Sequence, residues 1–313
     1  MNNKKFAVTA LGEAMIEFNQ TNPQLPQYLQ GFGGDTSNAT IAAARAGVRT
    51  AYLTRLGDDT LSDLLRGLWL REHVHTQAIE TDATLPTGLY FVTHGEKGHT
   101  FTYRRAGSAA SNMTPHWLRG SPAKVIEQSE WLHLSGITLA ISPEACDTAF
   151  AAIQIARQAG TKVSFDSNLR LKLWSFERAR AEIIKAMSLC DLFLPSLEDM
   201  ILLTGLHNPD EIVAWSHAQG ARQVVLKLGA QGALISDPSA QLRRLVPGMR
   251  VQAVDATGAG DCFCGNLLAR LALGDDLTHA TRYANAAASI AVQGWGAVNC
   301  LPTAAQTLAL LAR

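Results

Sequence analysis

Trp131 to Asp166 reads WLHLSGITLAISPEACDTAFAAIQIARQAGTKVSFD. Two short apolar runs, Trp131 to Ile137 and Thr161 to Asp166, enclose a longer amphipathic stretch, Pro143 to Gln158. Strand, helix and strand at this spacing are the sequence form of a parallel sheet flanked by helices. The alternation starts near Val125 and runs on past Asp166, with a helix over Phe176 to Cys190 and strands at Leu192 to Pro195 and Gln223 to Leu228. Each apolar run ends where polar residues or glycines begin. Open α/β sheets bind ligands at the carboxyl ends of their strands, so those junctions are where chemistry is expected.

Before Val125 the pattern differs. Phe6 to Phe18 forms two short strand-like pieces around Gly12, and Leu89 to Thr93 pairs with His99 to Tyr103 as a hairpin around Gly95 to Gly98. These strands alternate apolar with polar residues and have no long helices between them. They predict a small sheet projecting from the core as a lid, drawn from about residues 12–33 and 86–108. No repeat, low-complexity tract or linker divides the 313 residues, so one continuous domain over residues 1–313 is expected.

Composition narrows the function. With 47% hydrophobic and 17% charged residues the chain can bury a large core, which excludes disorder as its main state. Lys plus Arg and Asp plus Glu each number 27, so no net field draws in nucleic acid or anionic lipid. Five cysteines, an odd number with no C-x-x-C spacing, argue against a disulfide framework or a zinc site and read as reduced thiols. There is no signal-peptide pattern at Met1 to Lys5, and no apolar run approaches the roughly 18 to 20 residues that span a bilayer. A soluble, cytoplasmic protein is expected.

The strongest motif is Asp255-Ala256-Thr257-Gly258-Ala259-Gly260-Asp261, set between a strand expected at Arg250 to Val254 and a helix at Cys262 to Leu273. Glycines at a helix mouth let backbone N–H groups converge on an anion, and the helix dipole adds positive potential. Asp261 is then placed to accept a proton from a hydroxyl attacking a phosphoryl group. As structure alone, the same residues make a tight turn and an acidic first helical turn. No G-x-x-x-x-G-K-[ST] occurs, and Phe263 replaces the third glycine of a dinucleotide fingerprint, which disfavours P-loop enzymes and dehydrogenases. A second cluster, Gly31-Phe32-Gly33-Gly34-Asp35-Thr36-Ser37-Asn38, precedes a helical run over Ala39 to Ala46. Its glycines permit close approach of a ligand, and Asp35 and Asn38 can bond sugar hydroxyls.

The Gly33-Gly34 to Asn38 cluster, Gly47, Gly57 and above all Asp255 to Asp261 resemble the two signatures of the ribokinase-like (PfkB) carbohydrate kinases, in an order and spacing covering nearly the whole chain. The resemblance implies an α/β fold with a Rossmann-like, mostly parallel central sheet flanked by helices and a small β-sheet lid. It also implies ATP as phosphoryl donor, Mg²⁺, Asp261 as catalytic base, and amides of Gly258, Ala259 and Gly260 stabilising the transferring group. The segments Phe101 to Ser108, Asp166 to Arg170 and Leu132 to Ile137, with Gly12-Glu13, resemble those of 2-keto-3-deoxygluconate kinases. On that resemblance Gly34, Tyr90, Tyr103, Arg105 and Arg170 contact the substrate. A sugar acid needs guanidinium partners for its carboxylate, whereas a neutral sugar does not. Arg104 and Arg105 are adjacent in a strand and face opposite ways, so one should be a solvated surface charge.

On the nucleotide side the resemblance assigns Lys227, Gly229 and Gly232 to ATP phosphates and ribose, Asn285 to the adenine, and Asn168 to the cofactor; as structure alone, Gly229 to Gly232 is a hairpin turn. The family's N-x-x-E is replaced by Ser196-Leu197-Glu198-Asp199, whose oxygens can still hold a hydrated Mg²⁺, and metal ligands stay unassigned. Trp69, Trp131, Trp174 and Trp295 are expected in the core, Cys262 and Cys264 as small buried residues, and His73-Val74-His75 as a surface element. The exposed edge and face of the lid predict a homodimer or higher even oligomer joined lid to lid. Besides a sugar-acid kinase, a fructokinase or other neutral-sugar kinase and a non-catalytic sugar-acid-binding protein fit these residues.

Overall fold

The computed structural model describes residues 4–95 and 98–312. The strands are β1 (Phe6–Leu11), β2 (Met15–Gln20), β3 (Tyr28–Gly33), β4 (Thr50–Leu53), β5 (Arg55–Gly57), β6 (Glu80–Asp82) and β7 (Leu89–Gly95). They continue with β8 (Gly98–Arg104), β9 (Ser129–Ser135), β10 (Lys162–Asp166), β11 (Leu192–Phe193), β12 (Gln223–Lys227), β13 (Gly232–Asp237) and β14 (Leu242–Pro247). The helices are α1 (Asp35–Arg45), α2 (Thr60–Arg71), α3 (Ser121–Glu127), α4 (Gly136–Ala140), α5 (Pro143–Gln158) and α6 (Phe176–Leu189). They are followed by α7 (Leu197–Thr204), α8 (Pro209–Ala218), α9 (Ala259–Ala272), α10 (Leu277–Ala291) and α11 (Ala304–Leu311).

The main sheet has eight strands in the order β14-β13-β12-β11-β10-β9-β1-β4. Pairing is parallel from β12 to β4 and antiparallel at β13 and β14. Helices cover both faces, so successive residues of one strand enter different cores. Leu132 and Leu134 pack with α5 and α6, whereas Trp131 packs with α9 and α10. Burial on both sides is why these strands read as continuous apolar runs. From β1 the chain builds outward to β4 on one side and to β9, β10, β11 and β12 on the other. The carboxyl ends of β1 and β9 therefore flank a topological switch point, where a ligand crevice opens.

A second sheet, β3-β2-β7-β8, forms the lid. Met15, Tyr90, Val92 and Phe101 make a small apolar cluster on one face, and Phe18, Phe32 and Leu89 pack against the body on the other. β7 and β8 pair antiparallel as the hairpin pattern implies, while the turn residues Glu96 and Lys97 lie outside the described residues.

Several expectations are corrected. The first N-terminal piece, β1, belongs to the main sheet between β9 and β4 and not to the lid. Arg250 to Val254 is not a strand. Its V-Q-A-V alternation imitates one, but Val251 and Val254 are exposed, and the ordered contact of this stretch is the Val254 N–H to the Val292 carbonyl. The helix after the anion loop begins at Ala259, three residues earlier than expected, and α1 begins at Asp35 rather than Ala39. β9 stops at Ser135 because that side chain caps α4 in a capping box with Thr138. Trp69, Trp131 and Trp174 are buried, but Trp295 is 72% exposed.

Candidate active site

A cleft of about 740 Å³ lies under the lid at the carboxyl ends of β1, β9, β10, β11 and β12. It gathers Gly34, Asp35, Asn38, Tyr90, Tyr103, Arg105, Asn168, Arg170, Lys227, Gly229, Gly258, Gly260 and Asp261, from segments far apart in the chain. A second cavity of about 670 Å³ at the opposite strand ends holds Asp191 and Asp237. Asp191 is taken up by Arg222 and the Val163 N–H, and Asp237 by Gln223 and Ser239. His217, also there, is held by the Ala221 carbonyl and Ser236, so the cleft is the candidate site.

At its base, α9 starts from Gly258 with φ 75°. A Cβ there would also meet Ala297 Cβ at 2.9 Å, so both backbone conformation and packing require glycine. Asp255 fixes the turn, accepting from the Thr257 N–H and hydroxyl with one oxygen and from the Gly296 N–H with the other. The Ala259 N–H is bonded to the Ala256 carbonyl, and Ala259 is not among the cleft-lining residues. Its N–H, expected to act beside those of Gly258 and Gly260, is thus already engaged.

Helices α1 and α9 pack so closely that a Cβ on Gly265 would lie 2.1 Å from the Ala39 carbonyl oxygen. Their N-termini meet in the cleft, where Asn38 Nδ2 donates to Asp261 Oδ2 at 2.9 Å. The Asp261 carboxyl is pushed up to about 7, first by burial and then by the neighbouring Asp35 carboxylate. Asp35 accepts from Asn168 Nδ2 at 2.7 Å. Asn168 has φ 27°, a left-handed conformation that asparagine tolerates better than most residues. Its expected nucleotide role therefore sits beside a bond to Asp35, itself expected on the sugar side. Lys227 Nζ lies 2.8 Å from Asp166 Oδ2 and 3.5 Å from where a Gly260 Cβ would stand. Burial opposes its charge, but Asp166 more than offsets this and keeps the lysine protonated above its ordinary range.

Tyr90 and Tyr103 reach in from the lid. The Tyr90 hydroxyl donates to Glu17 at 2.5 Å, and burial followed by Glu17 pushes it well above the ordinary phenol range. Arg104, the last residue of β8, is exposed, and Arg105, just past the strand, is 8% exposed, so one of the pair is solvated as expected. Arg105 Nη2 stands 2.5 Å from Glu13 Oε2, an ion pair whose angles do not make a hydrogen bond. Arg170 is exposed at the cleft mouth and donates to its neighbour's carbonyl, Leu169 O. Two expected nucleotide residues do not line the cleft. A Cβ on Gly232 would clash with the Val246 carbonyl at 2.2 Å, and the Asn285 amide donates to the Val246 and Pro247 carbonyls.

Asp166, Glu198, Asp199 and Ser196 line the cleft, but Asp166 is held by Lys227, and Asp199 accepts from Ser167 and the Leu169 N–H. Among the described residues no three His, Cys, Asp or Glu side chains converge as a cage. Mg²⁺ usually keeps its waters and leans on substrate phosphates with one or two carboxylates, and exposed Glu198 with the neighbouring Asp199 fits that role. Sequence reasoning named Glu13 only within the resemblance and missed Glu17, which holds the Tyr90 hydroxyl. The available signal was an acidic residue inside the apolar strand M-I-E-F.

An α/β sheet with a glycine-led helix N-terminus, a buried carboxylate beside it and a lid above fits a phosphotransferase acting on a small hydroxyl-bearing molecule. Residues 5–304 match the pfkB family carbohydrate kinases, and the chain belongs to that family. It is 33% identical to a 2-dehydro-3-deoxygluconokinase of Dickeya dadantii, over 95% of this chain and 97% of that one. It is 32% identical to fructokinase-1 of Zea mays, over 97% of each chain. Among solved structures, a fructokinase of Vibrio cholerae O395 bound to fructose, ADP and calcium superposes with a TM-score of 0.86. That match is 31% identical and covers 97% of this chain and 98% of the other. The fold is ribokinase-like. Among the described residues no helix is long and apolar enough to cross a membrane.

Proposed function

We propose that the protein is an ATP- and Mg²⁺-dependent kinase that phosphorylates the terminal hydroxyl of 2-keto-3-deoxygluconate to give the 6-phosphate. The observation that carries the sugar-acid reading is Arg105, a buried guanidinium in the cleft whose Nε has no hydrogen-bond partner among the described residues and whose Nη2 faces only the Glu13 carboxylate as an ion pair. These two groups form the edge that grips a carboxylate with two parallel bonds, and buried donors left unpaired are costly. Arg170 supplies a second positive charge at the mouth. Ion pairing of Arg105 with Glu13 favours the alternative, a neutral sugar such as fructose, and the fructokinase relatives agree with it.

In either case Asp261 accepts the proton of the substrate hydroxyl as its oxygen attacks the γ-phosphorus of ATP. The bond to the bridging oxygen breaks, and ADP leaves. Asp35 and Asn38 orient the hydroxyls, and the amides at the mouth of α9 with Lys227 balance charge on the transferring group. Mg²⁺ held near Glu198 and Asp199 supplies further neutralisation of phosphate charge when bound. Tyr28 and Leu29 on the exposed edge strand β3 support association of two copies through their lids. ADP release measured over a panel of sugars and sugar acids tests the substrate reading. Preference for 2-keto-3-deoxygluconate over fructose in kcat/KM is expected, and preference for a neutral sugar transfers the assignment to it.

A further inference from the structure

Glu13 is a cleft residue that the phosphoryl-transfer chemistry leaves unused. It follows β1, its side chain has no solvent exposure, and it faces Arg105 at 2.5 Å. Ser108 Oγ donates to Glu13 Oε1 at 2.9 Å. A Cβ on Gly88 would stand 2.8 Å from the same oxygen, so the carboxylate is enclosed and has no room to swing away. The Arg105 charge is therefore balanced inside the protein before any ligand arrives. An anion approaching Arg105 must share the guanidinium with Glu13, whereas an uncharged hydroxyl has no such competitor.

We infer that Glu13, acting through Arg105, sets how strongly the cleft discriminates an anionic substrate from an uncharged one. The inference rests on reading the cleft as a sugar-kinase site, and it is independent of which sugar the wild type prefers. Glu13 is a positioning and charge-balancing residue and touches no reacting atom.

Glu13→Gln keeps the shape while removing the charge, with its oxygen turned to Arg105 and its amide NH2 donating to the Ser108 hydroxyl oxygen. With 2-keto-3-deoxygluconate and fructose as substrates, the acid-to-neutral ratio of kcat/KM should rise about tenfold, because Arg105 no longer divides its charge between Glu13 and the substrate carboxylate. The gain should appear in the KM of the acid with kcat little changed. In an Arg105→Met background the same substitution should leave the ratio unmoved. If Glu13→Gln fails to fold, Glu13→Asp withdraws the charge by one methylene and should raise the ratio in the same direction by less. An unchanged ratio, equal losses for both sugars, or a persistent effect in the Arg105→Met background overturns the inference. A wild type that turns over neither sugar fails the proposed substrate reading instead. The ratio is then read from calorimetric binding of the same two sugars, with the same outcomes deciding.

Discussion

Asp261 sits among carboxylates, and that placement decides when it can act. Its carboxyl is raised to about 7 by burial and by Asp35, so it is protonated below that pH and unable to accept a proton. The kcat/KM profile should therefore climb with pH through a limb near 7. Asp35→Asn removes the second cause, and the limb should move to lower pH while the maximal rate falls from lost substrate contacts. An unmoved limb would detach the titration from Asp261. The motif holding Asp261 was legible in the sequence because a glycine loop and its helix are local. The pairs Glu13–Arg105 and Glu17–Tyr90 were not, because they form only when the lid strands fold across the end of β1, and no local pattern encodes that meeting.

The elements most visible in the sequence are those with their own start and stop chemistry. Helix α5 runs over the residues expected of it, with Ser142 capping the Ala145 N–H and Pro143 in its first turn. Residues 250–254 misled because apolar alternation marks a strand only where a neighbouring strand completes the ladder. Trp295 misled because it lies in the loop after α10, whose Ala297 closes on Gly258. That loop is anchored by Arg45, which makes a two-pronged pair with Glu72 and donates to the Val298 and Leu301 carbonyls. Arg45→Ala should cost about 2 kcal/mol, given that hydrogen bonds to charged groups contribute about 1.5 to 3 kcal/mol. The thermal midpoint should fall by a few degrees, and KM for ATP should rise as Gly258 loses its support. A midpoint equal to wild type would show that the loop holds without this anchor.

At the scale of the whole molecule, β3 has an edge that pairs with no strand among the described residues and bears Tyr28 and Leu29, and lid-to-lid association would cover it. Sedimentation velocity at micromolar concentration should show a species of twice 33.6 kDa or a higher even multiple. Leu29→Lys should shift it toward the monomer, and a wild type sedimenting only as monomer would remove the proposal. The division of the chain into sheet and lid was readable from strand spacing, whereas the membership of β1 in the main sheet depended on its two parallel neighbours. Everything the cleft is proposed to do depends on proton acceptance at Asp261. The most direct test is therefore kcat for ADP release with saturating ATP and 2-keto-3-deoxygluconate, wild type against Asp261→Asn, with calorimetric binding as the control. The account predicts binding largely retained and kcat lowered by about 10² to 10⁴-fold. A variant that turns over at a near-normal rate would contradict it.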